Sequence, residues 1–259
     1  MKNNYFVQIY RYKELVSALA DKEVKIKYKS AVLGHLWALL NPLLLMLVFS
    51  FVFSVIMRVQ INNFPVFLLC ALLPWFYLSF SLNAATTSIV DNASLIKKAY
   101  FPYEVIPLSI VIANLFNFLI SLVLLFAFLL YYSIYPSWSW LYLPVIVVLQ
   151  SVFILGLCLL SSAMHAMYRD VKYIVELILL VWFYATPIFY PLSFVPDNIR
   201  QFFLLNPLTV FVNLYRQILL QGTMPELGLL FLAFVLSLAF YGVGMVVFNS
   251  NKKSFADVT

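Results

Sequence analysis

Charged side chains are scarce in this sequence. Asp, Glu, Lys and Arg together make up 10% of the 259 residues, whereas hydrophobic residues make up 64%. Soluble domains contain roughly 25% charged and about 45 to 50% apolar residues, and a soluble fold of this length could not bury so much apolar surface. The composition therefore excludes a soluble enzyme and predicts an integral membrane protein.

Residues that usually carry catalysis or bind cofactors are also few. The two histidines, His35 and His165, adjoin the ends of apolar runs, where an imidazole can reach lipid headgroups, so no metal site is predicted. The six glycines are not spaced as GxxxxGK[ST], the phosphate-binding loop. We predict no catalytic residue, no metal and no cofactor in this chain. Uphill transport would then need energy from another chain.

The two cysteines and the net charge point in the same direction. Cys70 and Cys158 lie at predicted membrane depths about 15 Å apart. A disulfide requires Cα atoms within about 7 Å, so we predict two buried free thiols. The net charge of +6 comes from basic residues at the ends of apolar runs, which form no face or arm for a phosphate backbone. Membrane lipids are the expected partners, and no nucleic acid is predicted.

Long runs without charge are what the sequence does contain. A helix needs about 20 apolar residues to cross roughly 30 Å of hydrocarbon. The run from Val105 to Tyr168 must hold two crossings, with a turn in the Pro-rich and aromatic stretch 131–144, whereas the run 201–215 is short and broken at Asn206-Pro207. Six spans are predicted, near residues 34–57, 65–89, 106–132, 143–167, 173–190 and 227–248.

The distribution of basic residues predicts the orientation of these spans. Thirteen of the sixteen Lys and Arg residues fall in the two termini and in the connections 90–105 and 168–172. Because basic residues are enriched on the cytoplasmic side, both termini are predicted to be cytoplasmic in a multi-pass membrane protein. The apolar external connection is then expected to form two short re-entrant helices against the outer membrane face.

The predicted fold is an all-α integral membrane protein with one transmembrane domain, residues 1–259. Its parts are a cytoplasmic, amphipathic interface helix (1–33), spans one to five (34–190), an external segment (191–226), span six (227–248) and a cytoplasmic tail (249–259).

Aromatic residues are abundant, with 25 Phe, 17 Tyr and 5 Trp. Those between 131 and 142 fit an interfacial belt. Phe49 and Phe53 are four residues apart on span one, and Trp182 and Phe189 are seven apart on span five, so each pair is predicted to share a helix face. These faces could pack against lipid or line a conduit in which aromatic rings stack on sugars.

Four stretches resemble the polysaccharide-export permeases of the ABC transporter superfamily. "YKSAVLGHLWALLNPL" (28–43) is similar to their first span, and "TPIFYPLSFVPDNIRQFFLLNPLTVFVNLYRQILLQG" (186–222) to their external segment. "LIKKAYFPYEVIP" (95–107) and "YRDV" (168–171) look like their two cytoplasmic loops. The resemblance extends over nearly the whole chain.

This resemblance implies the membrane half of an exporter for lipid-linked polysaccharide such as O-antigen. The chain would work as a homodimer with two copies of a separate ATP-binding subunit, which would bind ATP and Mg²⁺. The resemblance implies that the loop around Lys97 and Lys98, together with the N-terminal helix, contacts the ATPase, and that residues 191–226 form an external gate. The candidate coupling residues are Lys97, Lys98, Glu104, Arg169 and Asp170, and the candidate gate residues are Pro191, Asn206, Pro207 and Arg216.

Two other functions remain open from the sequence. One is a related ABC permease for teichoic acid, capsule or a small drug-like molecule. The other is a membrane transferase acting on polyprenyl lipids, which should show acidic pairs or a His/Asp cluster at the cytoplasmic face. Arg169-Asp170 alone is weak support for such a site.

Overall fold

The computed structural model describes residues 12–28, 34–98, 100–252 and 255. These residues form helices and turns without any strand, which confirms the all-α class. Of the predicted interface and tail segments, residues 1–11, 29–33, 253, 254 and 256–259 lie outside the described part. We number the α-helices in chain order as α1 Lys13–Tyr28, α2 Trp37–Ser50, α3 Phe64–Asp91, α4 Ala93–Lys98, α5 Val105–Tyr131, α6 Leu143–Met167, α7 Val171–Tyr184, α8 Asp197–Leu205, α9 Pro207–Leu219 and α10 Leu227–Asn251.

Within the described residues, five helical segments are long and apolar enough to cross a membrane. They are Trp37–Ile56, in which α2 continues as a π-helix, then Phe64–Asp91, Val105–Tyr131, Trp138–Met167 and Leu227–Asn251. They correspond to predicted spans one, two, three, four and six. These helices confirm a multi-pass membrane protein, and the six-span count stays a prediction.

The predicted fifth span, residues 173–190, corresponds to α7, which is only 14 residues long. Such a helix covers about 21 Å, less than the roughly 30 Å of hydrocarbon. α7 ends at Tyr184 because Pro187 has no N–H for the Phe183 carbonyl and disfavours helical backbone at Thr186. Residues 185–191 continue without helix.

Helix α3 forms the centre of the bundle. Its apolar window is 83% buried, whereas those of the first and last long helices are 11% and 17% buried. α3 contacts α2, α5, α6, α7 and α9. The outer helices therefore expose apolar faces to lipid or to another protein chain.

The end of the bundle at which α3 terminates is closed by a second group of buried apolar residues, here called the basal cluster. It joins α1, α4 and the adjoining ends of α3, α5, α6 and α10. Its buried members are Val16, Leu19, Ile89, Ile96, Phe101, Val105, Ile106, Leu159, Ala163, Ala166, Phe248 and Phe255. This cluster holds the short helix α4 against the ends of the long helices.

Helices α6 and α10 approach each other until their backbones touch. A Cβ atom added to Gly156 would overlap the backbone of Phe240, and one added to Gly244 would overlap the carbonyl group of Gly156. Small residues at helix crossings in membranes permit this close approach. The two glycines therefore set the distance between α6 and α10.

We predict that Gly244→Ala separates α6 from α10 and destabilises the protein. Overpacking of this kind costs about 1 to 3 kcal/mol. Thermal unfolding of the purified protein in detergent would show a lower midpoint. Gly242→Ala is the matched control, since a Cβ there meets open space and alanine favours helix. Equal midpoints for the two variants would contradict the prediction.

Candidate transport and coupling sites

The predicted coupling lysines end the short helix α4. Lys97 and Lys98 are both exposed, while the preceding residue, Ile96, is buried in the basal cluster. The helix is therefore anchored by an apolar side chain and presents two positive charges outward. Cations also suit the C-terminal end of a helix, where carbonyl groups point out.

The second predicted loop lies at the same end of the bundle. Arg169 and Asp170 are exposed in the turn between α6 and α7, and Ala166 just before them belongs to the basal cluster with Ile96. The structure thus brings the two predicted coupling loops to one end of the molecule.

Glu104 differs from the other predicted coupling residues because it faces inward. It is 3% exposed, and its two carboxylate oxygens accept hydrogen bonds from Lys252 Nζ at 2.8 and 3.0 Å. Its predicted part in ATPase coupling stays a prediction, and any such part would act through its contact with Lys252. No local sequence pattern indicates this pair, since its partners are 148 residues apart.

Helix α1 is fastened to the connection between α3 and α4. Lys22 Nζ donates a hydrogen bond to Asn92 Oδ1 at 2.9 Å, and Asn92 Nδ2 donates to the Ser88 carbonyl at 2.9 Å. Beside it, partial burial raises the pKa of the Glu23 carboxyl, Lys22 opposes this shift and Asp91 adds to it. A lysine and an amide thus tie α1 to the basal end.

An aromatic cluster occupies the opposite end of the bundle, where α2 ends and α3 begins. Phe189 lies between Phe49 and Phe53, with ring centroids 5.7 and 5.4 Å away. Phe49 and Phe53 are 6.3 Å apart, and Phe183 lies 5.7 Å from Phe189. The structure therefore brings three of the four predicted conduit residues together and adds Phe183, which sequence reasoning missed.

Trp182 does not share a face with Phe189 as predicted. Phe189 follows the end of α7 at Tyr184, so the helical spacing of seven residues does not apply to it. The Trp182 ring instead contacts Phe153 on α6, at a centroid distance of 6.4 Å, and its Nε1 donates to Asn206 Oδ1 at 2.7 Å. Trp182 therefore joins α7 to the external segment.

Asn206 connects the end of α7 to the start of α9. Its Oδ1 also accepts from the Leu208 backbone N–H at 3.0 Å, which caps α9. Its Nδ2 donates to the Ala185 carbonyl at 3.1 Å. Pro207 occupies the first position of α9, where its missing N–H costs no helical hydrogen bond. Pro191, the fourth predicted gate residue, precedes a short 3₁₀ turn and is half-buried.

Arg216 on α9 binds the chain that follows α7. It is 5% exposed and donates hydrogen bonds to the carbonyls of Pro187 and Ile188, each at 2.7 Å. Its guanidinium carbon also lies 3.5 Å from the centre of the Phe67 ring on α3. The planar guanidinium donates to two carbonyl groups that would have accepted backbone N–H hydrogen bonds if the helix had continued.

A polar link inside the bundle was also missed by sequence reasoning. Tyr215 donates to Gln150 Oε1 at 2.7 Å, and Gln150 Nε2 donates to the Pro74 carbonyl at 2.9 Å. These contacts join α9, α6 and α3. The available signal was Gln150 itself, a polar residue inside an otherwise apolar span, which usually has a buried partner. Cys70 and Cys158 are buried free thiols, as predicted.

Long apolar helices, a buried centre and polar contacts closed within the bundle define a multi-pass membrane protein. Comparison with protein families identifies the family to which the chain belongs. The sequence model described as "ABC-2 type transporter" matches residues 14–220. The chain belongs to the ABC-2 type transporter family, whose members are transport subunits.

Curated relatives align along nearly their whole length. The chain is 35% identical over 252 residues to the O-antigen export system permease protein RfbA of Myxococcus xanthus, covering 96% of this chain and 97% of that protein. It is 34% identical over 249 residues to a Klebsiella pneumoniae protein of the same name, covering 95% of both. It is 25% identical over 238 residues to the Escherichia coli polysialic acid transport protein KpsM, covering 90% of this chain and 92% of that protein.

We predict that Arg216 is required to hold the segment after α7 in place. Arg216→Lys keeps the charge but cannot donate to both carbonyls in the same planar geometry. Each carbonyl left unpaired should cost about 1 to 3 kcal/mol, measured as a lower thermal midpoint in detergent. Arg200→Lys is the control, since Arg200 forms an exposed ion pair with Asp197 at 2.8 Å. The prediction is wrong if both variants unfold like the wild type.

Proposed function

We propose that this chain is the transmembrane permease subunit of an ABC transporter that exports a lipid-linked polysaccharide of O-antigen type across the bacterial inner membrane. The similarity to O-antigen export permeases, at 34 to 35% identity over nearly the full length, carries this proposal. The alignments with these relatives cover the predicted spans, loops and external segment of this chain. A capsule-type polymer is the second candidate, favoured by the 25% identity to a polysialic acid transport protein.

Members of this family work with an ATP-binding subunit, and we propose two such subunits bound to two copies of this chain. The exposed faces of the peripheral helices support a second copy. On α7, the exposed fractions of Tyr173, Leu177 and Val181 are 63%, 64% and 66%. Such an apolar face must be covered by lipid or by another chain. A polymer conduit between two copies would be lined by the outer helices of both copies.

The contacts at the basal end support six crossings with both termini on the cytoplasmic side. Lys22 meets Asn92, and Lys252 meets Glu104, so the first and last described helices reach the same end of the bundle. The chain between Glu104 and Lys252 must therefore cross the bundle an even number of times. α5, α6 and α10 supply three crossings, and α7 with the segment 185–190 supplies the fourth.

Cysteine labelling tests this topology. A membrane-impermeant thiol reagent applied to intact cells should modify cysteines placed at Ser193 and Thr223 and spare those at Ser94 and Ser250. All four positions are exposed, so differences in labelling report the side of the membrane. Permeabilised cells provide the control, in which all four cysteines should react. Labelling at Ser250 in intact cells would contradict the proposed topology.

We propose that Phe49, Phe53 and Phe189 form one wall of the conduit at its external end. The spans carry almost no charge, so a hydrophilic polymer must be accommodated by water, hydroxyl groups and aromatic faces. The three rings meet within 6.3 Å and are only partly buried, which supports contact with a passing sugar. Trp182 is proposed instead to support this wall from behind.

Substitution by leucine tests the aromatic wall. Phe53→Leu and Phe189→Leu keep apolar volume but remove the flat ring, so export and glycan-dependent ATPase stimulation should fall severalfold, given about 0.5 to 1.5 kcal/mol for an aromatic contact beyond its buried area. Phe126→Leu is the control, because this ring stacks on Trp140 at the 3₁₀ turn before α6, outside the proposed wall. Wild-type export in both wall variants, at normal protein levels, would rule the wall out.

The coupling proposal assigns α4 and the turn at Arg169 and Asp170 to the ATPase interface. A tagged form of this chain should co-purify with an ATP-binding subunit, and lipid-linked polysaccharide should stimulate hydrolysis by that complex. Reversing both lysines (Lys97→Glu with Lys98→Glu) should lower ATPase association about tenfold, because negative side chains would replace the positive ones that face the partner. Lys97→Arg with Lys98→Arg is the charge-preserving control. Failure of any ATP-binding subunit to co-purify with the wild type would contradict the proposed function.

A further inference from the structure

The C-terminal end of α10 contacts the connection between α4 and α5 through an ion pair. Lys252 Nζ lies 2.8 and 3.0 Å from the two oxygens of Glu104. The Glu104 side chain is 3% exposed and that of Lys252 is 34% exposed. The pair therefore lies at the surface of the basal cluster, with its carboxylate turned into the protein.

Aromatic contacts join the same two segments. The ring of Phe255, which is fully buried, lies 5.0 Å from Phe248 on α10 and 6.3 Å from Tyr103 in the connection. Lys252 Nζ lies 5.8 Å from the centre of the Tyr103 ring. The ion pair is therefore one part of a larger contact between α10 and the residues directly before α5.

This contact continues in both directions. Toward α4, the Tyr103 ring meets Phe101 edge-on at 5.7 Å, and Phe101 packs in the basal cluster with Ile96 of α4. Toward the membrane, α10 touches the backbone of α6 at Gly156 and Gly244. Packed contacts therefore connect α4 continuously to α10 and α6, so a displacement of α4 would act on both helices.

Stability alone does not account for a charged pair at this position. Removing a carboxylate from water is costly, and apolar side chains of similar volume often replace buried ion pairs without loss of stability. What the pair adds is a contact between opposite charges, which ties the end of α10 to the residue directly before α5.

We propose that Glu104 and Lys252 are positioning residues that transmit movement of α4 to α10. This inference rests on the proposed function, in which α4 meets the ATPase. When the ATP-binding subunit displaces α4, the ion pair makes the end of α10 follow. In this role the pair acts on the efficiency with which hydrolysis drives export and not on the binding of ATP or polymer.

The test measures polymer moved per ATP hydrolysed by the full complex in proteoliposomes. Lys252→Met should lower this ratio about fivefold, a typical size for energetic coupling between sites, while bound ATPase subunit and basal hydrolysis stay within about twofold of wild type. Lys252→Arg should retain the ratio, because it keeps the charge. The reciprocal exchange, Glu104→Lys with Lys252→Glu, should restore at least half of it.

Each other result overturns the positioning role. A normal ratio in Lys252→Met would show that the pair transmits nothing, and failure of that variant to assemble would show that the pair only stabilises the fold. An assembled reciprocal exchange with no recovery would exclude the pairing itself. A wild-type complex that hydrolyses ATP but moves no polymer would instead contradict the proposed function, so the two failures are distinguishable.

Discussion

The hydrocarbon core of the membrane offers no hydrogen-bond partners, and this constraint shapes the interior of the protein. A polar group there must find its partner within the chain. Gln150 forms hydrogen bonds with Tyr215 and with the Pro74 carbonyl. Ser237 Oγ lies 2.8 Å from the Leu149 carbonyl. Arg216 donates hydrogen bonds to two carbonyls. In each case the partner belongs to a different helix or to the chain after α7. The same contacts that satisfy polar groups therefore also connect the helices.

The two ends of the molecule differ in their chemistry. The basal end collects lysines, a buried carboxylate and the short helix α4, and it suits contact with a water-soluble partner. The opposite end collects phenylalanine rings and the helices α8 and α9, which suits contact with lipid. The central helix α3 contacts elements at both ends. Movement at one end can therefore be transmitted to the other through α3.

Sequence patterns predicted the long helices because charge is expelled from hydrocarbon, so charged residues mark where spans end. They also placed the connection that contains Lys97 and Lys98 at the cytoplasmic side from its charge, and both lysines are exposed in the structure. They did not predict the inward position of Glu104, because its partner is far away in the chain and no local spacing reports it. The helical face drawn through Trp182 and Phe189 was wrong because Pro187 ends the helix between them.

The short length of α7 has a consequence for the lipids around it. A 14-residue helix is about 9 Å shorter than the hydrocarbon thickness, whereas its neighbours match or exceed that thickness. Lipids that touch the exposed face of α7 must compress their acyl chains or tilt to cover it, at a cost of fractions of a kcal/mol per ångström. Where lipid lies beside α7, the hydrocarbon layer that covers this helix is therefore thinner than the layer beside its longer neighbours.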